Sequence, residues 1–321
     1  MRILLNRGDG VVAPWVQDFQ AALPDAELVT WREGDMQPAG AHCAHCAHCA
    51  HCDYAVLWNP SPALLAQLGG VKAVFLMGAG ADALLKHGDA LPAVPIVRLG
   101  DAGMAVQMAE YVAYATLRYF RRFDEYEEQA RHGLWSPLPP HAKEAFTVGV
   151  MGLGKLGLRV AKTMRGFGFP VRGWSRTPKD IPGVDCYAGM ASLDDFLRGT
   201  RVLVSLLPLT AETSNLIDRR RLATLPQGAY VINVARGAQL AEPDLLALIR
   251  SGHIAGATLD VFRNEPLPAP HPFWDEPRIT ITPHISALTV RGEAVRQIAE
   301  KIAAFEAGLP VDDLIDRTLG Y

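Results

Sequence analysis

One stretch constrains this chain more than any other: Val148-Gly149-Val150-Met151-Gly152-Leu153-Gly154-Lys155-Leu156-Gly157. Apolar residues of strand type run straight into G-x-G-x-x-G, and a helical pattern follows. Each glycine has a physical task in such a turn. Gly152 permits the tight reversal, Gly154 lets the backbone approach a pyrophosphate, and Gly157 lets helix and strand pack closely. Leu153, Lys155 and Leu156 complete the turn and start the helix, whose free N–H groups and positive potential suit phosphate. A glycine turn alone can be merely structural. Here a second strand, Val171–Trp174, begins fourteen residues after Gly157, and that context makes dinucleotide binding the reading.

The end of the second strand selects the cofactor. NAD-specific folds place Asp or Glu there to hold the ribose 2′-hydroxyl. This chain has Gly173-Trp174-Ser175-Arg176-Thr177, with no acid. A guanidinium suits a phosphate dianion and a hydroxyl can donate to it, so Ser175, Arg176 and Thr177 point to NADP, with Lys179 adding charge nearby. An ordinary solvent-facing Arg176 is the alternative.

Short strand-type runs alternate with helical segments along the whole chain, which indicates α/β architecture. Strands are expected at Arg2–Asn6, Leu28–Trp31, Tyr54–Trp58, Val71–Met77 and Val94–Leu99, with helices near Pro14–Leu23, Pro62–Leu68 and Ala81–Lys86. From Met104 to about Arg131 no Pro or Gly interrupts a helical pattern, so one long helix is expected, apolar on several faces in its first half and therefore buried between domains or subunits. The second α/β unit begins at Phe146. Its strands, Phe146–Met151, Val171–Trp174, Arg201–Leu207, Ala229–Val234, Ala255–Val261 and Ile279–Thr282, are largely continuous apolar runs, as in a parallel sheet covered on both faces. A last helix spans about Val290–Ala307.

Lys plus Arg number 31 against 34 Asp plus Glu, and without a basic excess nucleic acid is not an expected partner. The opening MRILLNRGDG has too short an apolar core for a secretory leader. No apolar run approaches the ~20 residues that span a bilayer, so a cytoplasmic location is expected.

Three polar residues fall at the ends of expected strands, where open α/β sheets place their ligands: Arg236 in Asn233-Val234-Ala235-Arg236-Gly237, Glu265 in Asn264-Glu265-Pro266, and His284 in Thr282-Pro283-His284. Reduction of a 2-keto acid takes a hydride to carbon and a proton to oxygen. A histidine can give the proton near neutral pH, a carboxylate beside it keeps the imidazolium charged and oriented, and an arginine can hold the substrate carboxylate and polarise the carbonyl. One at a time, each residue also has a plain reading: a surface arginine, a turn glutamate, a loop histidine.

These segments, in this order behind a glycine-rich turn, resemble the D-2-hydroxyacid dehydrogenase family, closest to its glyoxylate/hydroxypyruvate reductase branch. Further points of similarity are Tyr54-Ala55-Val56-Leu57-Trp58, Gly78-Ala79-Gly80-Ala81-Asp82, the run Leu117 to Asp124, the neighbourhood of Cys186, and Asp316-Arg317 with Gly320-Tyr321. The resemblance implies a Rossmann-type doubly wound cofactor domain, 104–286, inserted in a smaller flavodoxin-like α/β substrate domain, 1–103 and 287–321. It implies that Arg236 binds the substrate carboxylate, that His284 is the acid/base and Glu265 its partner, and that Asp260 lies near the nicotinamide. Leu207, Pro208 and Thr213 match the loop after the fourth strand of the cofactor domain, and Val234 and Ala235 accompany them on the cofactor. Met77, Gly78, Ala79 and Gly80 look like the segment whose amides receive the substrate, and Trp58 like a pocket tryptophan. Substrate would sit in the cleft between domains, and a homodimer through the cofactor domain is implied. The expected activity is NADPH-dependent reduction of glyoxylate to glycolate and of hydroxypyruvate to D-glycerate. The rival is a non-enzymatic nucleotide- or metal-sensing protein on the same scaffold.

One segment departs from the family. From His42 to Cys52 the chain reads His-Cys-Ala-His-Cys-Ala-His-Cys-Ala-His-Cys. Thiols and imidazoles at this spacing can offer ligand sets for Zn or Cu(I). Such regular repetition is unlike a site supported by a surrounding shell, so a repeat expansion in a tolerant surface loop is the simpler reading and no functional metal is expected.

Overall fold

The structure, a computed structural model, describes residues 1–31 and 52–321. Most of the His-Cys repeat, His42 to His51, lies outside the described residues. Its last member, Cys52, is buried in an apolar cluster with Leu4, Leu57 and Leu76.

The chain forms two compact units, Met1–Gly103 with Thr289–Tyr321, and Met104–Leu288. The first contains β1 (Arg2–Arg7), α1 (Ala13–Ala22), β2 (Glu27–Thr30), β3 (Tyr54–Trp58), α2 (Pro62–Leu65), β4 (Ala73–Leu76), α3 (Asp82–Leu85) and β5 (Ile96–Val97). Its parallel strands are ordered β2-β1-β3-β4-β5. The central strands are apolar on both sides because helices cover both faces: Ile3, Leu4, Leu5, Tyr54 to Leu57 and Ala73 to Leu76 are buried. β5 is shorter than its apolar run suggests, and Pro95 immediately before it lacks the N–H a ladder needs.

The second unit contains α4 (Met104–Phe120), α5 (Phe123–Arg131), β6 (Val148–Met151), α6 (Lys155–Gly166), β7 (Val171–Ser175), β8 (Asp185–Ala188), α7 (Leu193–Arg198), β9 (Val202–Ser205), α8 (Arg219–Thr224), β10 (Ala229–Asn233), α9 (Glu242–Arg250), β11 (Ile254–Leu259) and β12 (Ile279–Ile281). All seven strands are parallel, ordered β12-β11-β10-β9-β6-β7-β8. The chain builds outward from β6 through β7 to β8, then crosses to β9 on the other side. The strand order reverses between β6 and β9, and the carboxyl ends of these two strands frame the crevice where such sheets take ligands.

Two expectations change. The single helix from Met104 to Arg131 is broken into α4 and α5 by Arg122, which takes a left-handed conformation at φ 60°. No glycine or proline marks the break. It is held by the Arg122 guanidinium, which donates to both Glu125 carboxylate oxygens at 2.7 and 2.9 Å and to the Pro139 carbonyl at 2.9 Å. The second change is β8, a short, half-exposed edge strand reading Asp-Cys-Tyr-Ala, too polar to stand out as a strand in the sequence.

After the second unit the chain returns through α10 (Arg291–Glu306), which packs against α1. Glu306 fastens it to the sheet: Tyr54 Oη donates to Glu306 Oε1 at 2.5 Å, and Lys72 bridges Glu306 at 2.7 Å and Asp53 at 3.3 Å. Lys72, with the Tyr54 hydroxyl, holds the Glu306 carboxyl below the usual carboxylate range, and the Arg2 amide, aided by Lys72, does the same for Asp53. No helix among the described residues is long and apolar enough to cross a membrane.

Candidate active site

The glycine turn follows β6 at the reversal point. Gly152 sits at φ 102°, a conformation that L side chains rarely adopt, and a Cβ there would meet the Leu206 carbonyl oxygen at 2.7 Å. A Cβ on Gly157 would fall on the Gly152 carbonyl, so this position admits only glycine without moving backbone. At Gly154 a Cβ would meet no heavy atom within 4 Å. Gly152 and Gly157 are demanded by the protein's own packing, and Gly154 leaves open space beside the backbone. Gly154 is the N-cap of α6 and supplies no side-chain cap hydrogen bond, and a helix N-terminus of this kind suits an anion. The fit to a pyrophosphate rests on this cradle. Leu153 contributes only backbone, because its side chain is buried over Gly173 of β7.

At the end of β7, Ser175 is nearly buried and its hydroxyl donates to the Thr177 carbonyl at 2.8 Å. The sequence suggested that hydroxyl as a phosphate donor; it shapes the turn that carries Arg176 and Thr177, both exposed. Across the crevice, the loop after β9 is organised by Gln239, a residue the sequence did not single out. Fully buried, Gln239 donates to the Leu207 and Pro208 carbonyls at 2.7 and 3.0 Å and accepts from Ser205 Oγ at 3.0 Å. Thr213 Oγ1 donates to the Pro208 carbonyl at 2.7 Å, closing the loop.

The three strand-end polar residues follow β10, β11 and β12, which are sheet neighbours. Arg236 lies in a turn set by buried Asn233, whose amide donates to the Arg236 carbonyl at 3.1 Å and accepts from the Ala235 N–H at 3.2 Å. Val234 and Ala235 in that turn are buried. A Cβ on the following Gly237 would collide with Phe262, so the Arg236 turn packs against the loop that carries Glu265. Glu265 Oε1 accepts from the Phe262 N–H at 2.9 Å, and its Oε2 meets His284 Nδ1 at 2.8 Å. A carboxylate only accepts, so Nδ1 carries the proton in this bond and Nε2 is the free face of the ring. Both side chains remain partly open, at 48% and 36% exposure.

His284 has φ 56°, a left-handed conformation that costs a non-glycine residue about 1 kcal/mol. Asp260 holds it there. The Asp260 carbonyl accepts the His284 N–H at 2.9 Å. Its fully buried carboxylate accepts from Thr282 Oγ1 at 2.6 Å, from Ile285 N at 2.8 Å and from Ser286 N at 2.8 Å. Asp260 therefore clamps the chain on both sides of the histidine. Thr282 Oγ1 also lies 2.5 Å from Tyr111 Oη on α4, and burial pushes that phenol up to about 12.

In the first unit, the Met77–Gly80 turn follows β4 and Trp58 ends the neighbouring β3. Met77 is buried and its N–H bonds the Leu57 carbonyl at 3.0 Å. The Trp58 ring lies so close to Gly78 that a Cβ there would strike it, and Arg7 stacks on Trp58 at 5.7 Å and on Trp15 at 5.4 Å.

Comparison with known proteins agrees with this architecture. Residues 113–286 match the model of the D-isomer specific 2-hydroxyacid dehydrogenase NAD binding domain. The chain is 47% identical over 312 residues to glyoxylate/hydroxypyruvate reductase A of Yersinia enterocolitica, covering 96% of each. It is 45% identical to the Salmonella typhimurium protein of the same name, covering 100% of each. Among solved structures, a D-isomer specific 2-hydroxyacid dehydrogenase from Xanthobacter autotrophicus Py2, in complex with NADPH and MES, superposes with a TM-score of 0.92 at 40% identity, over 100% of this chain and 99% of that one. An NADPH-dependent glyoxylate/hydroxypyruvate reductase from Sinorhizobium meliloti, in complex with NADP and sulfate, gives 0.90 at 33% identity, again over 100% and 99%. By this match over more than half of its length and by these near full-length relatives, the chain belongs to the D-isomer specific 2-hydroxyacid dehydrogenase family.

Proposed function

We propose that this protein is an NADPH-dependent reductase of small 2-keto acids, converting glyoxylate to glycolate and hydroxypyruvate to D-glycerate. The observation that carries the reading is the Glu265–His284 bond at 2.8 Å on Nδ1, which leaves Nε2 to hold a transferable proton. The cradle of Gly152, Gly154 and Gly157 would hold NADPH, which when bound would supply the hydride for the carbonyl carbon. His284 gives its Nε2 proton to the carbonyl oxygen, and Glu265 steadies the ring as its charge changes. Arg236 holds the substrate carboxylate and draws electron density from the adjacent carbonyl. Arg176 would hold the 2′-phosphate. The second unit is assigned to the cofactor, and Trp58 with the Met77–Gly80 turn to substrate recognition.

The same proposal takes the enzyme as a cytoplasmic homodimer, since a reaction that consumes NADPH needs the compartment that regenerates it. Val106 and Tyr114, exposed at 45% and 61% on α4 of the cofactor unit, are the kind of apolar surface a second copy covers. The test is absorbance loss of NADPH, and separately of NADH, with glyoxylate and with hydroxypyruvate. Turnover with NADPH well above NADH supports the reading. NADH preferred would remove the Arg176 argument, and a folded protein without turnover would remove the reductase.

A further inference from the structure

Nothing in the reaction calls for a tyrosine on α4, yet Tyr111 reaches the turn that carries the histidine. Its hydroxyl lies 2.5 Å from Thr282 Oγ1, a contact between residues 171 positions apart in the chain. The direction of the bond follows from proton counting. Thr282 has one hydroxyl proton, and it goes to the Asp260 carboxylate at 2.6 Å, which can only accept. The Thr282 oxygen must therefore accept from Tyr111, so the chain runs Tyr111 O–H to Thr282 O–H to Asp260 Oδ1. Burial keeps the Tyr111 phenol protonated well past neutrality, and the donor at the head of the chain persists at any pH where the enzyme works.

The far end of this chain is the residue that brackets His284. Asp260 takes Thr282 on one side of the histidine, and Ile285 and Ser286 on the other. Of these three donors, the two amides belong to the backbone and cannot be lost by substitution. Thr282 is the one donor supplied by a side chain, and Tyr111 is what fixes that side chain's rotation. Without it the hydroxyl loses the partner that aims its proton at Asp260.

We propose that Tyr111 and Thr282 are positioning residues for His284, acting through Asp260 to hold the 282–286 turn in its left-handed conformation. The assignment rests on the reductase reading for its kinetic consequence and on the hydrogen-bond chain for its structural one. Neither residue touches substrate or cofactor in this role. Their removal lowers kcat while leaving the KM for NADPH in place, because the glycine cradle is built from other elements.

The experiment compares Thr282→Val, Thr282→Ser and Tyr111→Phe in steady-state reduction of glyoxylate, with thermal unfolding and the side-chain 15N–1H spectrum of His284 recorded on each. Val matches Thr in shape and deletes the hydroxyl; Ser keeps it. By analogy with the partners that orient functional histidines elsewhere, kcat should fall roughly 10–100-fold in Thr282→Val. Tyr111→Phe should cost less, about 3–10-fold, since Thr282 still reaches Asp260. Thr282→Ser should retain most activity. The His284 ring signals should move in the valine variant and stay near wild type in the serine variant. The proposal is overturned if Val is as active as wild type, if Ser and Val are equally impaired, or if lost kcat only tracks a lower unfolding midpoint. Should the wild type reduce neither substrate, the reductase reading fails; His284 signals unmoved by Thr282→Val would then overturn the positioning role as well.

Discussion

The glycine turn and the histidine turn both follow the carboxyl ends of strands in one parallel sheet, β6 and β12, and are built by opposite means. Gly152, Gly154 and Gly157 fall within six consecutive residues, and their work is done by what they lack: at Gly152 and Gly157 a side chain would collide with Leu206 or with the turn's own carbonyl, and at Gly154 it would fill open space. The histidine turn is assembled from the loop after β11 (Asp260 and Glu265), the segment after β12 (Thr282) and α4 (Tyr111), and its work is done by hydrogen bonds that side chains make. The first device is steric and local. The second is polar and long-range, and it breaks one bond at a time. The largest effect should fall there. His284→Ala removes the proposed proton donor and should lower kcat roughly 10²–10⁴-fold with little change in NADPH binding, measured by steady-state kinetics beside NADPH fluorescence titration. An alanine variant that kept wild-type kcat would remove the histidine from the chemistry.

The steric device makes the contrasting prediction. In Gly157→Ala the new Cβ meets backbone, which cannot swing away as a side chain could. Overpacking of this kind costs about 1–3 kcal/mol, so the unfolding midpoint should fall. NADPH affinity should fall with it, because the Gly152 carbonyl must move. His284→Ala should leave the midpoint nearly unchanged. If Gly157→Ala binds NADPH normally, the cradle is not the nucleotide site.

The same contrast explains what was legible in the sequence. A contiguous motif between two apolar runs announces its own geometry, and so do strands buried on both faces; the glycine cradle and the parallel sheets were readable for that reason. Arg236, Glu265 and His284 stand out in the sequence because short segments at strand ends flag them, while the Glu265–His284 bond depends on the adjacency of β11 and β12. Tyr111, Gln239 and Asn233 do not. Each is an ordinary member of an apolar helix, loop or strand in the sequence, and acquires meaning only from a partner that folding delivers. Gln239 reaches Leu207 from 32 residues away, and Tyr111 reaches Thr282 from 171. The break at Arg122 belongs to the same class, since the Glu125 and Pro139 contacts that hold it leave no glycine or proline behind.

Cofactor choice tests whether the nucleotide side is steric throughout. Arg176→Ala should raise the KM for NADPH and leave that for NADH unaltered. A hydrogen bond to a charged group is worth about 1.5–3 kcal/mol, which corresponds to about a 10–100-fold loss of preference. Equal effects on both cofactors would show that Arg176 does not distinguish the 2′-phosphate.

Ser175→Ala should do least, and its smallness is informative. The sequence alone assigns both Ser175 and Arg176 to the phosphate, which predicts that both substitutions weaken NADPH alike. In the structure the Ser175 hydroxyl gives its proton to the Thr177 carbonyl and lies nearly buried. A hydroxyl has one proton, so it cannot serve the carbonyl and the phosphate together. Loss of a neutral turn bond is worth about 0.5–1.5 kcal/mol, and it should appear mainly as a slightly lower unfolding midpoint, with the ratio of NADPH to NADH efficiency changed by less than about 3-fold. A loss of NADPH preference as large as that of Arg176→Ala would mean that the hydroxyl leaves Thr177 when the cofactor binds, and that this part of the nucleotide site, like the histidine turn, depends on a side-chain hydrogen bond.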